Sequence, residues 1–210
     1  MPGMAASPAI FENLKLDPTV FILHYLKWHV PRPNDTLADY AKMVNESIIH
    51  DNPVLIGVSF GGMLVQEMAR HRRFKKVIII SSIKSKFEMP KRMHFARYTR
   101  IHKLLPTGLV NNVELLAKYA FGEKVNKRLA LYEIYLDVRD KVYIDWAIHQ
   151  IVNWKQTQPP KNVIHIHGEL DNVFPINNIK GCITVNKGKH TMIIYRAKWF
   201  NEHLPKLILE

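Results

Sequence analysis

The chain has 210 residues, enough for one domain with a full hydrophobic core and short for two. With 47% hydrophobic and 23% charged residues it is neither disordered nor fibrous, no apolar run approaches the ~20 residues that span a bilayer, and the single cysteine, Cys182, excludes an intrachain disulfide and a multi-cysteine zinc site. The net charge is +12, and twelve of the 30 Lys and Arg residues fall between Arg70 and Lys103 against one acid, Glu88, so the rest of the chain is nearly neutral. The first six residues show neither a basic n-region nor an apolar h-region of a secretory signal. These features point to a soluble, cytoplasmic protein, although an exported chain whose signal lies outside this sequence has the same composition.

The first predicted element is a strand over Thr19–Leu26, an apolar run. Thr36–His50 follows as a helix, with Leu37, Tyr40, Ala41, Val44 and Ile48 at helical spacing and Asp35 or Thr36 as its cap. Pro53–Val58 is the second strand, and Phe60–Arg70 the next helix, ending where Arg70, Arg72 and Arg73 suit a helix C-terminus. Val77–Ile80 reads as a third strand, Val163–His167 as a fourth and Gly181–Val185 as a weaker fifth. A final helix is expected over Ala197–Leu209, with Pro205 a candidate break or kink. Strands alternating with helices indicate an α/β fold with a mostly parallel sheet flanked by helices. Residues 84–158 differ: they read as helical, without a clear strand, and are too long for an ordinary connection, so they form a helical insertion within a single domain spanning 1–210. The aromatics of that insertion (Phe95, Tyr98, Tyr119, Phe121, Tyr132, Tyr135, Tyr143, Trp146, Trp154) are expected to be mainly packing residues.

The chemistry concentrates at Gly57-Val58-Ser59-Phe60-Gly61-Gly62, between an apolar strand and a helix. Small residues at 57 and 61 permit a tight strand-to-helix turn that pushes Ser59 out at the C-terminal edge of the sheet, beside the unpaired N–H groups of the helix start. A serine hydroxyl needs a base. Of the 11 histidines, His190 lies in a loop after the last predicted strand, at the same sheet edge, whereas His71, His94, His102 and His203 sit in charged stretches expected to be exposed. His165 and His167 form a His-x-His pair on a strand, with no third metal ligand nearby, so no metal and no cofactor is expected. The base needs an orienting carboxylate. Asp171, in the loop after Val163–His167, is preferred to Glu169 because it lies further into that loop.

The order Ser59, Asp171, His190, each after a strand, resembles the α/β-hydrolase superfamily over nearly the whole chain. The resemblance is carried by Gly57–Gly62, by His167–Pro175 and by Gly188–Met192, and residues 84–158 fall where that family carries a helical cap. It implies a serine hydrolase with Ser59 as nucleophile, His190 as base and Asp171 as its orienting acid. The Phe60 N–H would be one oxyanion donor. The second, which the family takes from a His-Gly motif, matches Pro2-Gly3-Met4. Proline replaces the histidine at little cost, since the donor is the backbone N–H after the glycine, here that of Met4. A small-molecule carboxylic ester is the substrate the resemblance implies. A thioesterase or acyltransferase uses the same machinery, and a non-catalytic binding protein on the same fold is the alternative of a different class. Acyl chain length, leaving group and oligomeric state are not written in the sequence.

The family also places a strand before the motif at Pro2–Met4, so its N-terminal strands have no counterpart here. Either an apolar strand precedes Met1, or Thr19–Leu26 closes directly onto Pro53–Val58 with the first residues displaced and Met4 drawn out of the oxyanion site. The basic stretch 70–103 is a solvated surface, or favours an anionic substrate or an acidic lipid surface. Specific nucleic-acid binding is the weakest reading, because no recognisable module accompanies the charge.

Overall fold

The computed structural model describes residues 1–104, 135, 136 and 138–210. Four strands form one parallel sheet in the order β1 (Val54–Val58), β2 (Lys76–Ile80), β3 (Val163–Gly168), β4 (Ile183–Val185). Ile78, Ile79 and Ile80 are fully buried, as expected for a parallel strand covered on both faces. Because all four strands run parallel, the loops that follow β1, β3 and β4 all emerge at one edge.

Six helices surround the sheet among the described residues: α1 (Leu37–Glu46), α2 (Phe60–His71), α3 (Lys91–Thr99), α4 (Lys141–Asn153), α5 (Met192–Tyr195) and α6 (Ala197–Leu209). Of the two candidate caps, Thr36 starts α1: its side chain accepts from the Asp39 N–H and the Asp39 carboxylate accepts from the Thr36 N–H, a reciprocal capping box. The helix ends at Glu46 rather than running to His50. α6 continues through Pro205 and buries Phe200, Leu204 and Ile208, four residues apart on one face. The proline gives up a single helical bond, the one its missing N–H would make to the Asn201 carbonyl.

Two expectations fail at the N-terminal side. Thr19–Leu26 is not a strand: Val20 and Phe21 N–H groups both donate to the Asp17 carbonyl in a turn, and Ile22 is 82% exposed. Nor are the first residues displaced. The Met1 amine donates to Ile56 O at 2.7 Å and Met1 O accepts from Val58 N at 3.0 Å, a parallel pairing opposite Gly57. The free edge of β1 is thus held by Met1, which leaves Thr19–Leu26 no ladder to join there. Burial pushes the Met1 amine down to about 5.

The predicted insertion 84–158 contains α3 and α4 among its described residues; its portion at 105–134 and 137, with Tyr119, Phe121 and Tyr132, lies outside them. Its two stems are tied together on α2. Gln66 Nε2 donates to the Gly62 and Ile83 carbonyls, each at 2.9 Å, and Gln156 Nε2 donates to Gln66 Oε1 and to Lys84 O. Every polar atom of this buried knot that could be left orphaned has a partner, which is what allows it inside the core. Tyr135, Tyr143 and Trp154 are packing residues, but Phe95 and Tyr98 on α3 are exposed. No helix among the described residues is long and apolar enough to cross a membrane.

Candidate active site

Ser59 occupies the turn between β1 and α2 with φ 53° and ψ −119°, a conformation an L-residue adopts only when its surroundings enforce it. The enforcing contacts are glycine contacts. A Cβ on Gly57 would lie 2.3 Å from Gly61 O, and one on Gly61 would lie 2.3 Å from Pro2 O. Both positions must be glycine for β1, α2 and the N-terminal residues to approach this closely. Ser59 N–H donates to Ile80 O at 2.9 Å, and Ser82 Oγ donates to Ser59 O at 2.7 Å, so the strained residue is clamped from β2.

The structure brings the three predicted side chains into one hydrogen-bonded line. His190 Nε2 is 2.9 Å from Ser59 Oγ, and His190 Nδ1 is 2.9 Å from Asp171 Oδ2. Asp171 Oδ1 accepts from the N–H groups of Val173 (2.8 Å) and Phe174 (2.9 Å). His190 and Asp171 are both buried. Burial by itself would raise the Asp171 carboxyl, but the His190 ring, its hydrogen bond, the His167 ring and the Phe174 N–H together hold it below its ordinary value. Glu169 is not drawn in: its Oε2 accepts from Lys187 N–H at 2.8 Å on the exposed side of the loop.

Pro2–Ala6 forms an ordered turn over the serine, with Ala6 N–H donating to Gly3 O and Ala5 at φ 61°. Gly3 and Met4 line a cavity of about 20 Å³ with Ser59, His190 and Ile193. Neither the Met4 nor the Phe60 N–H makes a hydrogen bond to a described residue. Three residues hold this turn, of which the sequence singled out only Tyr143, and that as a packing residue. Trp28 Nε1–H donates to Gly3 O at 2.8 Å and its ring stacks on Phe60, with centroids 4.9 Å apart. Tyr143 OH accepts from Ala5 N–H, and Val138 N–H donates to Ala5 O. No local pattern announces such contacts, because each joins residues more than twenty positions apart. A second cavity, of about 330 Å³, lies on the other side of Ala6 between Trp28 and Arg139 and is lined by none of Ser59, Asp171 or His190.

The remaining histidines fall differently from expectation in two cases. His203 is half-buried, with its Nδ1 2.9 Å from Trp199 O and its ring stacked on Trp199. His71 and His94 are exposed, but His102 is buried, with its Nδ1 3.0 Å from Ala96 O and its Nε2 3.4 Å from His149 Nδ1. The charged neighbourhood suggested exposure; the fold of the insertion turns the ring inward instead. His165 and His167 bond each other, with Nε2 of the first 3.1 Å from Nδ1 of the second.

No protein-family model matches the sequence, and a search of curated proteins finds no match. Solved structures do match in fold. The chain is similar to a bromoperoxidase from Bacillus anthracis, at 16% identity and a TM-score of 0.59 over 86% of this chain and 77% of that one. It is similar to a lipase-esterase related protein from Clostridium acetobutylicum ATCC 824, at 18% identity and a TM-score of 0.60 over 99% and 92%. It is also similar to a thermophilic esterase from Thermogutta terrifontis, at 15% identity and a TM-score of 0.53 over 82% and 73%. The parallel sheet, its flanking helices and these likenesses agree: the chain has the α/β-hydrolase fold.

Proposed function

We propose that the protein is a serine hydrolase acting on carboxylic esters of small molecules through an acyl-enzyme. The observation that carries this reading is the line Ser59 Oγ–His190 Nε2–His190 Nδ1–Asp171, with 2.9 Å at both links, beginning at a serine held in a strained turn. With its Nδ1–H given to Asp171, neutral His190 presents the Nε2 lone pair to the serine proton. Ser59 Oγ attacks the ester carbonyl carbon while its proton passes to Nε2. The C–O bond then breaks and the same proton leaves with the alcohol. Water repeats the sequence on the acyl-enzyme, giving up a proton to Nε2 and releasing the acid as Ser59 Oγ recovers it. The Phe60 and Met4 N–H groups hold the developing oxyanion, each worth about 3–4 kcal/mol in sites of this kind. In this reading the insertion between β2 and β3 is the counterpart of the helical cap that α/β-hydrolases carry at that place in the chain. The esterase and lipase-esterase names among proteins of like fold favour an ester as the bond cleaved, and fold analogy is a weaker support than the site.

The test is labelling by a fluorophosphonate with peptide mapping, beside turnover of p-nitrophenyl esters of graded chain length. The label should map to Ser59, and Ser59→Ala should lose both label and turnover while keeping the melting temperature. Equal label stoichiometry in Ser59→Ala would remove the serine from the mechanism.

A further inference from the structure

Two buried histidines stand directly behind the acid and have no part in the chemistry above. His165 and His167 are alternate residues of β3, so their side chains share one face of the sheet, and they are 3% and 0% exposed. His167 Nε2 lies 2.8 Å from Phe174 O and 3.5 Å from Asp171 Oδ2, while its Nδ1 faces His165 Nε2 at 3.1 Å. Only one arrangement of protons satisfies these contacts with both rings neutral. Phe174 O can only accept, so the single proton of His167 sits on Nε2. Its Nδ1 is then an acceptor, and the proton it receives belongs to His165 Nε2. His165 Nδ1 keeps a lone pair and makes no hydrogen bond of good geometry, although the Ser82 backbone also lies against this ring.

We propose that His167 is a positioning residue for Asp171, and that His165 acts through it by fixing its tautomer; this rests on the Ser59–His190–Asp171 reading above. The backbone of Phe174 is gripped on both sides, its N–H by Asp171 Oδ1 and its C=O by His167 Nε2–H. That double grip sets the rotation of the carboxylate, and with it the angle at which Oδ2 receives His190 Nδ1–H. The reversed tautomer would turn a lone pair toward both Phe174 O and Asp171 Oδ2, and the acid loop would be repelled from β3. Other charged groups around the pair are Lys84, Glu88 and His190. The same loop is also held from α3, where Arg92 donates to the carbonyls of Asn172 and Val173 and forms neither a hydrogen bond nor an ion pair with Asp171, which provides a control.

The experiment uses the full chain and compares wild type, His167→Phe, His167→Gln, His165→Leu and Arg92→Gln. It measures p-nitrophenyl acetate turnover and the low-field proton resonance of the His190 Nδ1–H. His167→Phe should lower kcat about 10- to 100-fold, the scale on which small misplacements of catalytic groups act, with KM little changed and the low-field resonance weakened or shifted. His167→Gln restores a donor at the Nε2 position and should recover most of the loss. His165→Leu should move kcat and the resonance in the same direction as His167→Phe, and it decides the matter if His167→Phe does not fold. Unchanged kcat and resonance in either folded variant would overturn the proposal, as would an equal loss in Arg92→Gln, which would reduce the effect to loop rigidity. A wild-type chain that takes no fluorophosphonate label defeats the serine-hydrolase reading instead, so the two failures are distinguishable.

Discussion

At the scale of single residues, the site depends on distances that only a few side chains can supply. Asp171 and Glu169 are two residues apart in one loop, yet Oδ2 of Asp171 lies 2.9 Å from His190 Nδ1 while the Glu169 carboxylate is spent on Lys187 N–H. Asp171→Asn should therefore lower kcat for ester hydrolysis by about 10³- to 10⁴-fold, because an amide at this position favours the wrong histidine tautomer. Glu169→Gln should change kcat by less than about threefold, as expected of a residue off the reaction path. Steady-state kinetics on the pair check this, and a larger loss in Glu169→Gln would reassign the acid.

At the scale of elements, caps and stems decide what stays in place. α1 buries Leu37, Tyr40, Ala41 and Val44, and its first turn is closed by the reciprocal pair Thr36 and Asp39. Thr36→Ala removes one half of that box and should cost about 1 kcal/mol. For a chain of this size that corresponds to a fall of about 2–4 °C in melting temperature, readable by calorimetry. Ester turnover at 25 °C should be unchanged, since α1 contributes no residue to the Ser59 cavity. The stems of the insertion carry a different burden. Gln66 and Gln156 tie residues 83, 84 and 86 to residue 156 over α2, and so set where the insertion leaves and re-enters the sheet.

At the scale of the whole molecule, the buried histidines, the buried Met1 amine and the basic surface govern the response to pH and salt. Burial, then the neighbouring His167 and Lys84, push His165 down to about 3 from an ordinary 6.5. The unfolded chain therefore binds a proton at this site that the folded chain refuses, and stability rises with pH through that window. The contribution is complete above about pH 6.5 and is lost as pH falls toward 3, about 2 kcal/mol of it by pH 5. Asp171 acts in the same sense but only below its ordinary 3.8, because its carboxyl is held low in the folded state. Melting temperature measured from pH 7 to pH 5 should fall in wild type and fall less in His165→Leu; parallel curves would show that another group controls the window. The basic stretch 70–103 is partly structural: Arg72, Lys76, Lys84 and Arg92 donate to backbone carbonyl oxygens and Arg70 to Gln156 Oε1, whereas Lys91 and Arg100 are exposed on and after α3. Anionic esters should be captured faster than matched neutral ones, with an advantage in kcat/KM that fades as ionic strength rises past about 0.1 M. Equal salt dependence for the two would leave the patch a solvated surface.

What the sequence determined by itself was local. Apolar runs of parallel-strand type appear at β1, β2 and β3, helical spacing at α1, α2 and α6, and Gly57, Ser59 and Gly61 mark a turn whose geometry admits few other residues. These signals survive in one dimension because each is made by residues within a turn or two of one another. Tertiary structure decided the rest. Thr19–Leu26 has the composition of a strand and no ladder to join, because Met1 holds the edge of β1. His102 lies in a charged stretch and is buried, since the insertion folds it inward against His149. Trp28 and Tyr143 reach the Gly3–Ala5 turn from 25 and 138 residues away. His165 and His167 read as a bare His-x-His pair until β3 places them against the acid loop and the Phe174 carbonyl selects their tautomers. A hydrogen bond between distant residues leaves no periodic trace in the chain, because its partners meet only after the sheet has formed.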